Sequence, residues 1–252
     1  MICHRLAISR ANLIAFSERY VDAALVNQIQ HDLRERARGV PVAYLTGVQE
    51  FYGLALAVNP AVLIPRSDTE TLVDAALAAF DRTEIVNALD LGTGSGAIAL
   101  ALKSQRPHWQ ITAVDRSELA LAVARKNARA LKLEVEFLSG DWLAPVTASY
   151  RLIVANPPYI ALDDPHLKQG DLRFEPRGAL AANAQGMADL VHIINNSARF
   201  LSNKGWLMLE HGYLQAPDVR AHLAHTGYDN INTIKDLGGN DRVSVGRLDA
   251  PT

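Results

Sequence analysis

Asn156-Pro157-Pro158-Tyr159 closes a short apolar run, and its composition restricts what can bind there. Neither proline has a backbone N–H, so positions 157 and 158 offer carbonyl acceptors and no main-chain donors. Asn156 precedes a proline and is biased away from helical angles, while the two rings lock the next φ values. The side-chain oxygen of Asn156 and the Pro157 carbonyl are therefore two preorganised acceptors, suited to an –NH2 group. If that nitrogen attacks an electrophile, positive charge develops on it and its N–H bonds to the two oxygens strengthen in the transition state. Tyr159 adds a flat face on which a planar amide or base can stack in a near-attack pose. The plainer alternative is that Pro-Pro only ends a strand and Tyr159 packs.

A second constellation is DLGTGSGA, residues 90–97, a glycine-rich turn between an apolar run and a helical pattern. Such glycines let main chain approach a ligand closely. Alone the turn is ambiguous, because Gly92, Gly94 and Ala97 also satisfy the dinucleotide-binding pattern, and Asp115 at the end of the next strand suits the ribose of either ligand. Asp90 separates the readings. An anion there repels a pyrophosphate and attracts the ammonium and sulfonium of S-adenosylmethionine, and Gly96 makes the loop G-x-G-x-G. Trp142, after the following strand, can pack on an adenine for ~1 kcal/mol beyond area burial or cap the sheet edge.

These residues must be held by a scaffold. Residues 69–80, 97–105, 118–131, 187–200 and 216–225 carry helical patterns, and short apolar runs between them read as strands, with two further strands near 228–234 and 242–246. Strands joined by helices of this length form a doubly wound, mostly parallel α/β sheet with ligands at the strand carboxyl ends. Upstream, residues 22–38 form an amphipathic helix with Leu25, Val26, Ile29, Leu33 and Ala37 on its apolar face, stopped by Gly39 and Pro41; residues 12–20 could contribute part of another. In EFYGLALAVNPAVLIPR a glycine and Asn59-Pro60 punctuate two apolar runs, a hairpin signal.

The chain has 252 residues, 49% of them hydrophobic, which is enough for a large core. A net charge of −2 supplies no global field for gathering nucleic acid. Cys3 is the only cysteine, which excludes an internal disulfide and argues for a reducing, cytoplasmic setting. No stretch reaches the ~20 apolar residues of a membrane span. His222 and His225 have metal-ligand spacing without a completing partner, so no metal is expected, and LRERARG reads as an exposed face.

The blocks PVAYLTGVQEFYGL, LIPRSDTETLV, DLGTGSGAIALAL, VDRS, SGDW, NPPYI, DPHLKQGDLRFEP, GMADLVHII and LEHG together resemble the peptide chain release factor glutamine methyltransferases, a branch of the Rossmann-like class I, seven-stranded methyltransferases. That resemblance implies a small N-terminal helical substrate-recognition domain at 1–46, a linking β-hairpin at 47–62 and a methyltransferase domain at 63–252. It implies methylation of the glutamine amide in the GGQ loop of class 1 release factors. By position, Gly92, Thr93, Gly94, Ser95, Gly96, Asp115, Trp142 and Asn156 would bind S-adenosylmethionine, and Asn156, Pro157, Pro158 and Tyr159 the glutamine, with Asn156, Pro157 and Tyr159 catalytic. Arg66, Thr69, Glu70, Phe174, Glu175, Pro176, Glu210 and His211 stand in family blocks as second-tier residues. Family members usually begin with a larger helical domain, and by that resemblance this chain is expected to lack about thirty residues ahead of Ser9, against a usual helix length of ~10–14 residues. The rivals are methylation of a ribosomal-protein glutamine, methylation of an exocyclic amine on DNA or RNA, and a non-catalytic nucleotide-binding module; the missing basic tract argues against nucleic acid. The sequence names no general base, and the proton is expected to leave to water.

Overall fold

Short apolar runs alternating with helices fold, in a computed structural model that describes residues 1–16 and 18–249, around one seven-stranded sheet. The N-terminal elements are α1 (Ile2–Leu6), α2 (Arg10–Ala15), α3 (Ala23–Ala37), α4 (Val42–Thr46), β1 (Val48–Phe51) and β2 (Leu54–Ala57). Then follow α5 (Glu70–Ala78), β3 (Asn87–Leu91), α6 (Ala97–Gln105), β4 (Gln110–Asp115), α7 (Glu118–Leu131), β5 (Glu136–Ser139) and β6 (Tyr150–Ala155). The remainder comprises β7 (Ile160–Ala161), α8 (Arg177–Leu180), β8 (Ala181–Ala182), α9 (Ala188–Ser197), β9 (Leu201–Glu210), α10 (Ala216–His225), β10 (Asp229–Lys235) and β11 (Asp241–Leu248).

The strand order is β10-β11-β9-β6-β3-β4-β5, with β11 antiparallel to both neighbours and the other pairings parallel. The order reverses between β3 and β6, so the carboxyl ends of these two strands open the crevice where doubly wound sheets bind ligands. β3 and β6 are buried along nearly their whole length, as expected for strands covered on both faces. Helix α6 is buried at every position from Ala97 to Leu102 because it lies between the sheet and α5, in a cluster with Leu72, Trp109 and Leu152. The opposite face is covered by α9 and α10 through Leu190, Ile193, Val219 and Leu223.

The chain upstream of the sheet differs from its sequence pattern in two ways. Helix α3 forms where expected, capped by Asp22 onto the Ala24 N–H at 2.8 Å, but its apolar face is not a core: Leu33 is 47% exposed and Val26 is exposed too. Asp32 is its buried residue, gripped by Arg5 at 2.6 Å, and Arg5 also donates to the Leu45 carbonyl at 2.7 Å. The helix is thus docked by a charged hydrogen-bond set that apolar periodicity does not register. Residues 12–20 do not continue as one helix: α2 ends at Ala15, and Ser17 lies outside the described residues. In the hairpin, Tyr52 and Gly53 both adopt positive φ (52° and 76°) and make the tight turn between β1 and β2. The apolar run after Asn59-Pro60 is unpaired; Val62 and Ile64 are buried against Ala43, Ala120 and Val123, tying α4 to α7.

Candidate active site

β3 ends at Leu91, and the turn that follows holds Gly92, Gly94 and Gly96 at φ 73°, 56° and 85°, a region that suits glycine. Two of them are also packed against neighbours. A Cβ on Gly92 would stand 3.1 Å from the Trp142 ring, and one on Gly96 would stand 3.2 Å from the Ala124 Cβ. A Cβ on Gly94 would meet nothing within 4 Å, so this glycine faces the crevice. Its N–H donates to Asp115 Oδ2 at 2.8 Å, while Asp115 Oδ1 accepts from the Ser117 N–H at 2.8 Å. Each carboxylate oxygen keeps a further lone pair for a ligand hydroxyl.

Asp90 lies beneath this loop, 1% exposed. Its Oδ2 accepts from the Thr93 hydroxyl at 2.6 Å and the Ala99 N–H at 3.2 Å, whereas Oδ1 is buried with no hydrogen-bond partner among the described residues. Burial pushes its carboxyl up to about 7, opposed by the two donors and reinforced by the Asp115 charge. An orphaned buried acceptor with suppressed ionisation is the environment a cationic ligand would relieve. Gly92, Gly94, Asp115, Trp142, Asn156 and Pro158 line one crevice, closed by Val62, Leu63, Pro176 and Gly178. Trp142 holds φ at 47° to place its ring there, a conformation costing about 1–2 kcal/mol for a residue with a Cβ. Thr93, Ser95 and Gly96 lie behind the crevice and build it: the Thr93 hydroxyl serves Asp90, and the Ser95 carbonyl accepts from Asn127, which also pairs with both backbone groups of Ala57. The Asp115 carboxylate, with lone pairs left for two hydroxyls, the Trp142 ring beside Gly92 and Gly94, and the unsatisfied Asp90 oxygen beneath the loop fit S-adenosylmethionine.

Asn156 follows β6 directly. Its Nδ2 donates to the Thr69 hydroxyl at 3.2 Å. Among the described residues neither its Oδ1 nor the Pro157 carbonyl accepts a hydrogen bond. Pro157 is buried. Tyr159 faces a second, more open depression lined by Ile64, Arg66, Asp68 and Asp171, and its hydroxyl donates to Glu210 Oε1 at 3.2 Å. The tetrapeptide therefore separates the two recesses, with Asn156 and Pro158 in one and Tyr159 in the other. A larger open groove at the amino ends of β4 and β5 contains none of these residues.

The second-tier residues divide by environment. Glu210 and Glu175 are buried carboxylates; Glu175 is ion-paired with Arg66, and desolvation still holds its carboxyl above the usual range. Pro176 lines the crevice that holds Asp115 and Trp142 rather than the depression that Tyr159 faces. Glu70 accepts from the Tyr52 N–H at 2.8 Å and so fastens the hairpin to α5. His211 is committed to the fold, with Nε2 2.8 Å from the Ser244 hydroxyl and Nδ1 2.9 Å from the Gly212 carbonyl. Sequence reasoning missed Gly186 and Gln215. Gln215 donates to the Tyr159 carbonyl at 3.0 Å, and a Cβ on Gly186 would fall 2.0 Å from that same carbonyl oxygen.

Comparison with known proteins agrees with this geometry. Residues 69–170 match the family model described as the methyltransferase small domain, and residues 1–47 match that of the PrmC N-terminal domain. A solved methyltransferase from Pyrococcus furiosus shares the fold, with TM-score 0.61 at 17% identity over 87% of this chain and 98% of its own. A Thermus thermophilus 16S rRNA N2 G1207 methyltransferase, solved with AdoMet and guanosine, superimposes with TM-score 0.58 at 18% identity over 79% of this chain and 49% of that one. The release factor glutamine methyltransferase of Salmonella typhimurium is 48% identical over 95% of this chain and 87% of its own length. With 48% identity over 95% of its length to that relative, the chain belongs to the release factor glutamine methyltransferase family.

Proposed function

We propose that this protein moves a methyl group from S-adenosylmethionine to the side-chain amide nitrogen of the glutamine in the GGQ loop of class 1 peptide chain release factors. The observation that carries the reading is the state of the Asn-Pro-Pro-Tyr turn: Asn156 spends its donor on Thr69, among the described residues neither its Oδ1 nor the Pro157 carbonyl accepts a hydrogen bond, and the flanking Asn156 and Pro158 line the donor crevice. When bound, S-adenosylmethionine supplies an electrophilic methyl on a sulfonium. The two oxygens hold both N–H bonds of the acceptor amide, which turns its nitrogen toward that methyl. A C–N bond forms as the S–C bond breaks, S-adenosylhomocysteine departs as a neutral thioether, and one N–H proton passes to water. Because positive charge has developed on the nitrogen in the transition state, Asn156 Oδ1 and the Pro157 carbonyl bind its N–H groups more tightly there than in the ground state. Tyr159 limits how the planar amide enters from the open depression.

Residues 1–46 and the hairpin at 47–62 border this entrance through Val42, Ala43 and Gln49, which suits a substrate-recognition role beside a catalytic domain at 63–252. A translation factor as substrate requires a cytoplasmic enzyme. The test is incubation with labelled S-adenosylmethionine and, in parallel, a class 1 release factor, ribosomal protein and RNA. Label is expected only in the GGQ peptide and is lost with Asn156→Ala; label in RNA or ribosomal protein instead would overturn the reading.

A further inference from the structure

Glu210 ends β9 with no role in the steps above, yet it is 1% exposed and bonded to the reaction turn. Its Oε1 accepts from the Tyr159 hydroxyl at 3.2 Å, its Oε2 has no hydrogen-bond partner among the described residues, and the Thr69 hydroxyl faces the same carboxyl. Thr69 is itself buried, and its hydroxyl oxygen accepts a hydrogen bond from Asn156 Nδ2 at 3.2 Å. Asn156 is thus hydrogen-bonded to Thr69, Thr69 stands beside the Glu210 carboxyl, and Glu210 is hydrogen-bonded back to the tetrapeptide at Tyr159.

The direction of that chain depends on charge. An ionised carboxylate only accepts hydrogen bonds, and a hydroxyl has a single proton to give. With Glu210 ionised, Thr69 directs its proton to the carboxylate, so its oxygen is left to accept from Asn156 Nδ2, and Oδ1 is the atom turned to the crevice. With Glu210 neutral, the carboxyl can donate to Thr69 and Thr69 to Asn156 Oδ1. The Asn156 amide then turns over and presents N–H donors to the N–H donors of the substrate.

We propose that Glu210, acting through Thr69, is a positioning residue that sets which face of the Asn156 amide meets the substrate, and that only its ionised form supports methyl transfer to an –NH2 acceptor. The proposal rests on the reading of Asn156 as the amide grip and extends it to a control of that grip. The groups facing Glu210 are Asp68 and Thr69 ahead of α5, Tyr159 after β6 and Arg242 on β11. Burial pushes the carboxyl up to about 7 and Asp68 adds to this, while the Thr69 and Tyr159 hydroxyls and Arg242 oppose it. Arg242 is also engaged by Asp236 at 3.0 Å and Asp68 at 3.4 Å, so its charge is shared.

The test measures kcat on an intact class 1 release factor at saturating S-adenosylmethionine from pH 5.5 to 8.5, with calorimetric Kd for S-adenosylmethionine and thermal unfolding in parallel. Wild type should show an acidic limb centred near 7. Glu210→Gln should lower kcat by about 100-fold, the size of one misdirected transition-state contact, abolish the limb, and leave the S-adenosylmethionine Kd within about twofold. Thr69→Val should reproduce the kcat loss and Thr69→Ser should recover most of it, a comparison that decides the matter if Glu210→Gln folds poorly. Wild-type kcat in Thr69→Val, or a limb that persists in Glu210→Gln, would overturn the proposal while leaving the methyl-transfer reading intact. A wild type that labels no release factor would sink that reading first, and this proposal with it.

Discussion

Gly186 touches no ligand in the scheme above, and replacing it by alanine should nevertheless disable the enzyme. It sits at φ 85°, and an added Cβ would lie 2.0 Å from the Tyr159 carbonyl oxygen, 2.6 Å from the carbonyl carbon and 2.8 Å from Gln215 Nε2. An ordinary contact starts near 3.4 Å, so oxygen and methyl must separate by more than 1 Å, and both obstructing atoms of Tyr159 are backbone. The positive φ alone costs alanine about 1–2 kcal/mol, and displacement of the Tyr159 peptide breaks the hydrogen bond from Gln215. Because Tyr159 is two residues from the Pro157 carbonyl, the shift is passed to the amide grip, and a misplacement of about 1 Å typically costs ~100-fold in rate. The assay is kcat with a release factor, alongside the Kd of S-adenosylmethionine, whose crevice does not include Gly186. Expected are a kcat lower by about two orders of magnitude, a reduced Tm and an unchanged Kd. Full activity in a folded Gly186→Ala protein would refute the claim that the turn must be held this closely.

Two further outcomes follow from the donor side. Asp115→Ala removes a carboxylate able to accept from both ribose hydroxyls and releases the Gly94 N–H; at ~1.5–3 kcal/mol per charged hydrogen bond, S-adenosylmethionine should bind at least about 100-fold more weakly by calorimetry. Asp90 is held up to about 7 in the free protein, so S-adenosylmethionine affinity should fall as pH drops from 8 to 5.5, by at most about tenfold per unit, and Asp90→Asn should flatten that dependence. The stability of the free protein should run the other way. A carboxyl whose folded pKa exceeds its unfolded value of 3.8 favours the fold below that value and loses this contribution as pH rises through about 7, so Tm should decline between pH 5 and 8, less steeply in Asp90→Asn.

The sheet was readable because its information is local and periodic. Helices α6 and α7 occupy the segments AIALALKSQ and ELALAVARKNARAL, since Gly96 opens one and Ser117 caps the other while apolar spacing continues between. Helix α3 shows where this fails: its periodicity implies a buried stripe, but Asp32, paired with Arg5 across 27 residues, is what docks it. The same divide runs through the site. Asn156, the glycine loop and Asp115 announce themselves by type and by position at strand ends. The partners that orient them do not: Asn156 meets Thr69 across 87 residues, Tyr159 meets Glu210 across 51 and Gln215 across 56. No spacing rule in a single sequence encodes such contacts, although the strand order that brings β9 beside β6 accounts for those of Tyr159 with Glu210 and Gln215.

The central claim is that Asn156 Oδ1 and the Pro157 carbonyl grip the two N–H bonds of an amide beside a sulfonium methyl. A crystal structure of the enzyme with S-adenosylhomocysteine and a GGQ-containing peptide tests it directly. The account requires the glutamine nitrogen within ~2.7–3.2 Å of both oxygens, with Asn156 Nδ2 still on Thr69. A glutamine amide bound elsewhere, or an Asn156 that offers Nδ2 to it, would contradict the account.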